Sequence, residues 1–139
     1  MFRRIDHVEI IPADFERSLD FYREILGFET WQRTAVEMPP LNEIAYLKLG
    51  DTMLELLSVD GAVEVAAEQW RVGYRMMALE VENMEEAVQY LKDRDVPITW
   101  GPMDLGGGTK RAEIQDPDGL GIELREWRSE EHTSELQSL

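Results

Sequence analysis

The chain repeats itself. Shifted by 69 residues, Glu16, Ser18, Leu19 and Phe21 fall on Glu85, Ala87, Val88 and Tyr90. Shifted by 68, Leu54-Glu55-Leu56 falls on Ile122-Glu123-Leu124, a one-residue difference that a loop deletion explains. Within 139 residues such a repeat means two copies of one supersecondary unit. Each copy alone is too small to bury a good core, so the two are expected to pack as one body.

The unit reads strand, helix, three strands. In Ile5–Ile11, Val8 and Ile10 share one strand face with Asp6, and Ile5, His7, Glu9 and Ile11 share the other. Pro12 breaks the strand and Asp14 can cap a helix whose stripe is Phe15, Leu19, Tyr22 and Leu26, ending at Gly27. Phe28–Thr34 reads as a short strand, Met38–Asn42 with its two prolines as loop, and Ala45–Leu49 and Met53–Leu57 as a hairpin around Gly50-Asp51. Residues 58–73 read as a connection with helix around Val65–Trp70. The pattern then restarts: a strand through Met77, Leu79 and Val81, and a helix capped by Asn83 with Glu86 three residues on. Strands follow near Ile98–Trp100, at Ala112–Ile114 and at Gly121–Trp127, with Asp116-Pro117-Asp118-Gly119 as the last turn. The fold class expected is α+β: two tandem βαβββ modules, about 3–58 and 74–127, in one domain of residues 1–127, with curved mixed sheets forming a cup. Residues 128–139 have no period and read as an adventitious or disordered tail outside that domain.

Composition narrows the partners. Asp and Glu number 29 against 14 Lys and Arg, a net charge of −15. That opposes nucleic acid and anionic membrane surfaces alike. There is no cysteine, which excludes disulfides and thiolate chemistry. No apolar run approaches a membrane span, so a cytoplasmic protein is expected.

Strand parity carries the chemistry. If Val8, Ile10, Leu54, Leu56, Ile122 and Leu124 face the helices, then His7, Glu9, Glu55, Glu123 and Arg125 face the cup, with Glu113 beside them. Several carboxylates in a partly enclosed site need a cation. A histidine nitrogen with carboxylate oxygens suits Mn, Fe(II), Co, Ni or Zn. Arg111 and Arg125 are candidates either to receive an anionic substrate group or to neutralise the carboxylates. Gly106-Gly107-Gly108 reads as a surface loop, and Trp70, Trp100 and Trp127 as aromatic core.

Asp6-His7-Val8-Glu9-Ile10, Leu19-Asp20-Phe21-Tyr22 leading to Leu26-Gly27-Phe28, Leu54-Glu55-Leu56, and Asp116-Pro117-Asp118-Gly119 before Ile122-Glu123-Leu124 resemble the vicinal oxygen chelate superfamily. That is the glyoxalase, bleomycin-resistance and extradiol-dioxygenase group, and the resemblance covers about residues 3–127. It implies a metal held by His7, Glu55, the residue at 76 and Glu123. Here position 76 is Met, where glyoxalase-like and epimerase-like relatives have His. A thioether is a soft, weak ligand for these metals, which leaves one nitrogen and two oxygens and disfavours an extradiol dioxygenase. The resemblance implies a metal-dependent lyase or isomerase acting on a small carbonyl or 2-oxo compound through an enediolate, with Glu123 as the base, Glu55 second and His7 a fixed ligand. The alternative is a non-enzymatic small-molecule binding protein of the bleomycin-resistance type. A homodimer is expected in either case.

Overall fold

The computed structural model describes residues 1–64 and 70–127, which form two compact units, one within Met1–Ala66 and one within Ala67–Leu139. The helix expected around residues 65–69 and the tail at 128–139 lie outside the described residues. Each unit is a βαβββ module, as the repeat requires.

In the first unit the order is β1 (Val8–Ile10), α1 (Phe15–Asp20), β2 (Glu29–Met38), β3 (Leu41–Leu49) and β4 (Thr52–Val59). The sheet runs β1-β4-β3-β2, with β1 parallel to β4 and the other pairs antiparallel. Helix α1 starts where Asp14 accepts a bond from the Arg17 amide at 3.1 Å. A π-helical turn, Phe21–Ile25, follows and ends at Gly27 with φ 84°. That wider turn buries Tyr22 and sets it edge-on to Phe28, ring centroids 5.8 Å apart. Leu19, Tyr22 and Phe28 fill the core with Ala45, Leu47, Leu54 and Leu56.

The second unit runs β5 (Met77–Glu80), α2 (Met84–Lys92), β6 (Trp100–Asp104), β7 (Lys110–Gln115) and β8 (Gly121–Glu126), in sheet order β5-β8-β7-β6. Asn83 caps α2 through the Glu86 amide at 2.9 Å, and Glu126 reaches back from β8 to the Met84 amide at 2.5 Å. Two orphan amides of the first turn are thereby satisfied. Met84, Val88 and Leu91 pack with Ala112, Ile114, Ile122 and Leu124.

Several boundaries differ from the sequence reading. The first strand is only three residues, because register with β4 begins at Val8 opposite Leu54 and nothing buries Ile5. The second strand runs on to Met38 because β3 pairs with it up to Leu41, so the expected loop shrinks to the two prolines. The sixth strand begins at Trp100, where the reading had it end. The tryptophans are not core: Trp70, Trp100 and Trp127 are 77%, 37% and 45% exposed. Each lies under a guanidinium, from Arg75, Arg111 and Arg125. A ring face can be covered by a cation as well as by hydrocarbon.

The Asp-Pro-Asp-Gly turn is held from inside. Buried Asp116 accepts the amides of Asp118 and Leu120 on one oxygen, each at 2.9 Å. Asp116→Ala strands those donors. Urea unfolding is expected to show a loss of about 1–3 kcal/mol, and Asp116→Asn a smaller one.

Candidate metal centre

Parity decides which side chains leave the helix-facing side. Leu54 and Leu56 are buried under α1, so Glu55 between them emerges on the opposite face of β4. Glu9 is its register partner on β1, and His7 stands one residue before that strand on the same face. His7 Nε2 lies 3.0 Å from Glu55 Oε2 and 3.2 Å from Glu9 Oε2. Its Nδ1 lies 3.0 Å from Asp6 Oδ2. One ligand atom from each of His7, Glu9 and Glu55 can be chosen so that all lie within 4.8 Å of one another, the only such metal-competent group among the described residues.

The charges are unbalanced. Three carboxylates surround one imidazole, with the exposed Arg4 guanidinium 3.8 Å from Asp6. Burial pushes the Glu55 carboxyl up, His7 opposes that, and Glu9 and Asp6 reinforce it. Hydrogen bonds to Asp6 first, and then Glu9, push His7 up. Asp6 is drawn down, chiefly by its bond to His7. This is the donor set a divalent cation fits: one imidazole nitrogen, two carboxylates, and a further carboxylate orienting the ring through its other nitrogen.

The second unit treats its equivalent carboxylate differently. Ile122 and Leu124 are buried, so Glu123 emerges on the face away from α2, as Glu55 does in the first unit. Its Oε1 accepts from Arg111 Nε at 2.9 Å and its Oε2 from Arg125 Nε at 2.9 Å. Arg111 Nη1 donates to Glu113, and Nη2 lies 3.7 Å from the sulfur of Met76. Burial works against the Arg111 charge, and its bonds to Glu113 and Glu123 outweigh that and raise its pKa. Met76 lies over Gly121, where an added Cβ would meet the Met76 methyl at 2.9 Å. Parity thus places Met76 on the Glu123 face, as expected, and half-buried.

The structure therefore gathers the sequence candidates into two clusters, His7 with Glu55 in one unit and Met76 with Glu123 in the other. The sequence reading put Glu9 on the right face but left it out of the ligand set. It set Asp6 on the helix face, whereas Asp6 precedes the short β1 and turns to His7. For Arg111 and Arg125, neutralisation of the carboxylates is what the contacts show.

The profile of the Glyoxalase/Bleomycin resistance protein/Dioxygenase superfamily matches residues 4–124. The chain belongs to this superfamily. YwkD of Bacillus subtilis is 30% identical over 129 residues, covering 91% of this chain and 98% of its own. The lactoylglutathione lyase of Escherichia coli O157:H7 is 30% identical over 127 residues, 88% of this chain and 92% of its own. The crystal structure of a glyoxalase family protein from Enterococcus faecalis superposes with TM-score 0.79 at 30% identity, over 89% of this chain and 98% of that one. The paired four-stranded mixed sheets are the fold of these glyoxalase-superfamily neighbours. No described helix is long and apolar enough to cross a membrane.

Glu55 is a buried carboxylate beside His7 with Glu9 and Asp6 near, and a cation there would offset the excess negative charge. Glu55→Gln is expected to raise the urea midpoint of the metal-stripped protein and to weaken its Zn²⁺ or Ni²⁺ affinity about tenfold or more. Urea unfolding in chelator and calorimetric titration read the two opposite movements.

Proposed function

We propose that the protein is a glyoxalase-like, metal-dependent lyase or isomerase of a small carbonyl or 2-oxo compound. The convergence of His7, Glu9 and Glu55 carries this reading. These three side chains would hold a divalent cation of the Ni, Co, Zn, Mn or Fe class. When bound, the cation supplies Lewis-acid polarisation of a carbonyl oxygen.

The chain's own residues do the rest. Asp6 holds the His7 ring by Nδ1, so that Nε2 is the ligating nitrogen. A carboxylate takes the proton from the carbon beside the carbonyl and returns it to a neighbouring carbon. Of the two candidates for this role, Glu55 is the one beside the His7 ring, 3.0 Å from Nε2. The position of Met76, taken up by Arg111, favours the second reading, a non-enzymatic small-molecule binding protein.

Proton exchange separates the two. The name of the Escherichia coli relative supplies a test compound, lactoylglutathione. In deuterated buffer, metal-loaded protein is expected to exchange the hydrogen on the hydroxyl-bearing carbon of its lactoyl group, followed by proton NMR. Stripped protein and His7→Ala should not. Loaded protein that binds metal through His7 without exchange would leave the binding-protein reading.

We further propose a cytoplasmic homodimer with a small-molecule ligand and neither nucleic acid nor membrane as partner. Each sheet ends in two edge strands, β1 and β2 or β5 and β6. Such edges are commonly covered by pairing. Light scattering at micromolar concentration is expected to give twice the mass of one chain, and a monomer would count against it.

A further inference from the structure

We propose that Arg111 is an internal counter-cation that withholds Glu123 from metal, and so sets how much divalent cation this chain binds. The two ladders make the argument. Glu55 pairs in register with Tyr46 on its neighbouring strand, and Glu123 pairs with Glu113. Two residues further along, Leu57 pairs with Ile44, and Arg125 with Arg111. The repeat therefore places Arg111 where the first unit has Ile44, Arg125 where it has Leu57, and Glu113 where it has Tyr46. The first unit offers Glu55 no guanidinium from these positions. The second surrounds Glu123 with two.

Geometry makes Arg111 the controlling cation. Glu113 and Glu123 are directly opposed like charges, which an antiparallel ladder tolerates only with a cation between them. Arg111 supplies it, forking to both and reaching the Met76 sulfur with its remaining amino group. It thus touches the two positions, 76 and 123, at which the family resemblance puts metal ligands. The Arg111, Glu113 and Glu123 side chains are only 16%, 16% and 14% exposed, and Trp100 lies with its ring centroid 5.0 Å from the guanidinium. Arg111 and Arg125 each occupy one Glu123 oxygen, so a metal there has to share it with, or displace, a guanidinium of like charge. Both are cations competing for one oxygen in a shielded place, where electrostatic competition is strong.

The test uses Mn²⁺ alone, with the full stripped chain and electron paramagnetic resonance of the free ion. Arg111→Met keeps the length of the apolar stem and removes the charge. It is expected to bind Mn²⁺ about tenfold more tightly than the parent, or to take up an additional ion. Arg111→Met/Glu123→Gln should lose that gain, while Glu123→Gln alone should leave parental binding nearly unchanged. Arg111→Lys keeps a charge but cannot fork between two carboxylates. It should show a smaller gain, and it carries the test if Arg111→Met fails to fold by circular dichroism. A folded Arg111 variant that binds no more Mn²⁺ than the parent overturns the proposal, as does a gain that survives Glu123→Gln.

The inference needs only that the Glu123 carboxylate can serve as a ligand once its guanidinium is removed, and the outcomes separate it from the proposed function. Parental binding through His7 with no gain in the variant removes the role of Arg111 and leaves the metal-dependent reading standing. A Glu123-dependent gain over a parent that binds nothing upholds the role of Arg111 and removes metal dependence from the parent. No binding in any variant overturns both.

Discussion

Leu54 and Leu56 are almost wholly excluded from solvent, and so are Ile122 and Leu124. Burying each such side chain stabilises the fold by roughly 1.5–3 kcal/mol. A strand that slipped by one residue would expose both apolar neighbours and drive the glutamate between them into the hydrocarbon. The register of β4 against β3, and of β8 against β7, is therefore strongly held. Everything on the other face follows from it. Glu55 and Glu123 do not have to be attractive to anything to stand where they stand, because they are placed by what their neighbours bury.

A carboxylate placed in this way still has to be satisfied. The two modules share a backbone plan and answer the problem with different side chains. Around Glu55 the same-face positions of β3 and β4 hold Tyr46, Ile44 and Leu57, and the His7 ring lies 3.0 Å away. Around Glu123 they hold Glu113, Arg111 and Arg125. Arginine brings a permanent charge and a fork of five donors, where an imidazole brings at most two N–H groups and a charge it can lose. The second module thus closes its charges internally, with Arg111 and Arg125 against Glu113 and Glu123. The first leaves Asp6, Glu9 and Glu55 against one histidine and the exposed Arg4, whose guanidinium lies 3.8 Å from Asp6.

This difference also explains what could be read from the sequence. The module order, the helix caps at Asp14 and Asn83, and the face taken by His7, Glu9, Glu55, Met76 and Glu123 all follow from alternation and local capping, which operate within a few residues. Asp6 was misplaced because alternation was carried back beyond Val8, where no strand partner exists to enforce it. Strand ends differ from the sequence reading where bulges intervene, between Ala35 and Met38 and between Trp100 and Met103. The pairing of Arg111 with Glu123 depends on ladder register between β7 and β8, a long-range property that neither segment states alone. The tryptophans misled because their apolar bulk says nothing of which cation will cover the ring.

The asymmetry has a consequence for stability and chemistry together. A buried ion pair within the chain stabilises less than its distance suggests, because both charges lose water. Its value in the second module is that Glu113 and Glu123 can sit side by side with no outside ligand. The first module has no such provision: its buried carboxylate is held among like charges, and its histidine is oriented from behind by Asp6. Groups that destabilise the empty protein yet converge on one point are what a binding centre requires, since an external cation gains most where the chain has left charge uncompensated. By that reasoning the His7 cluster is where an external cation would gain most, and the Arg111 cluster is where the chain has already compensated its own charge.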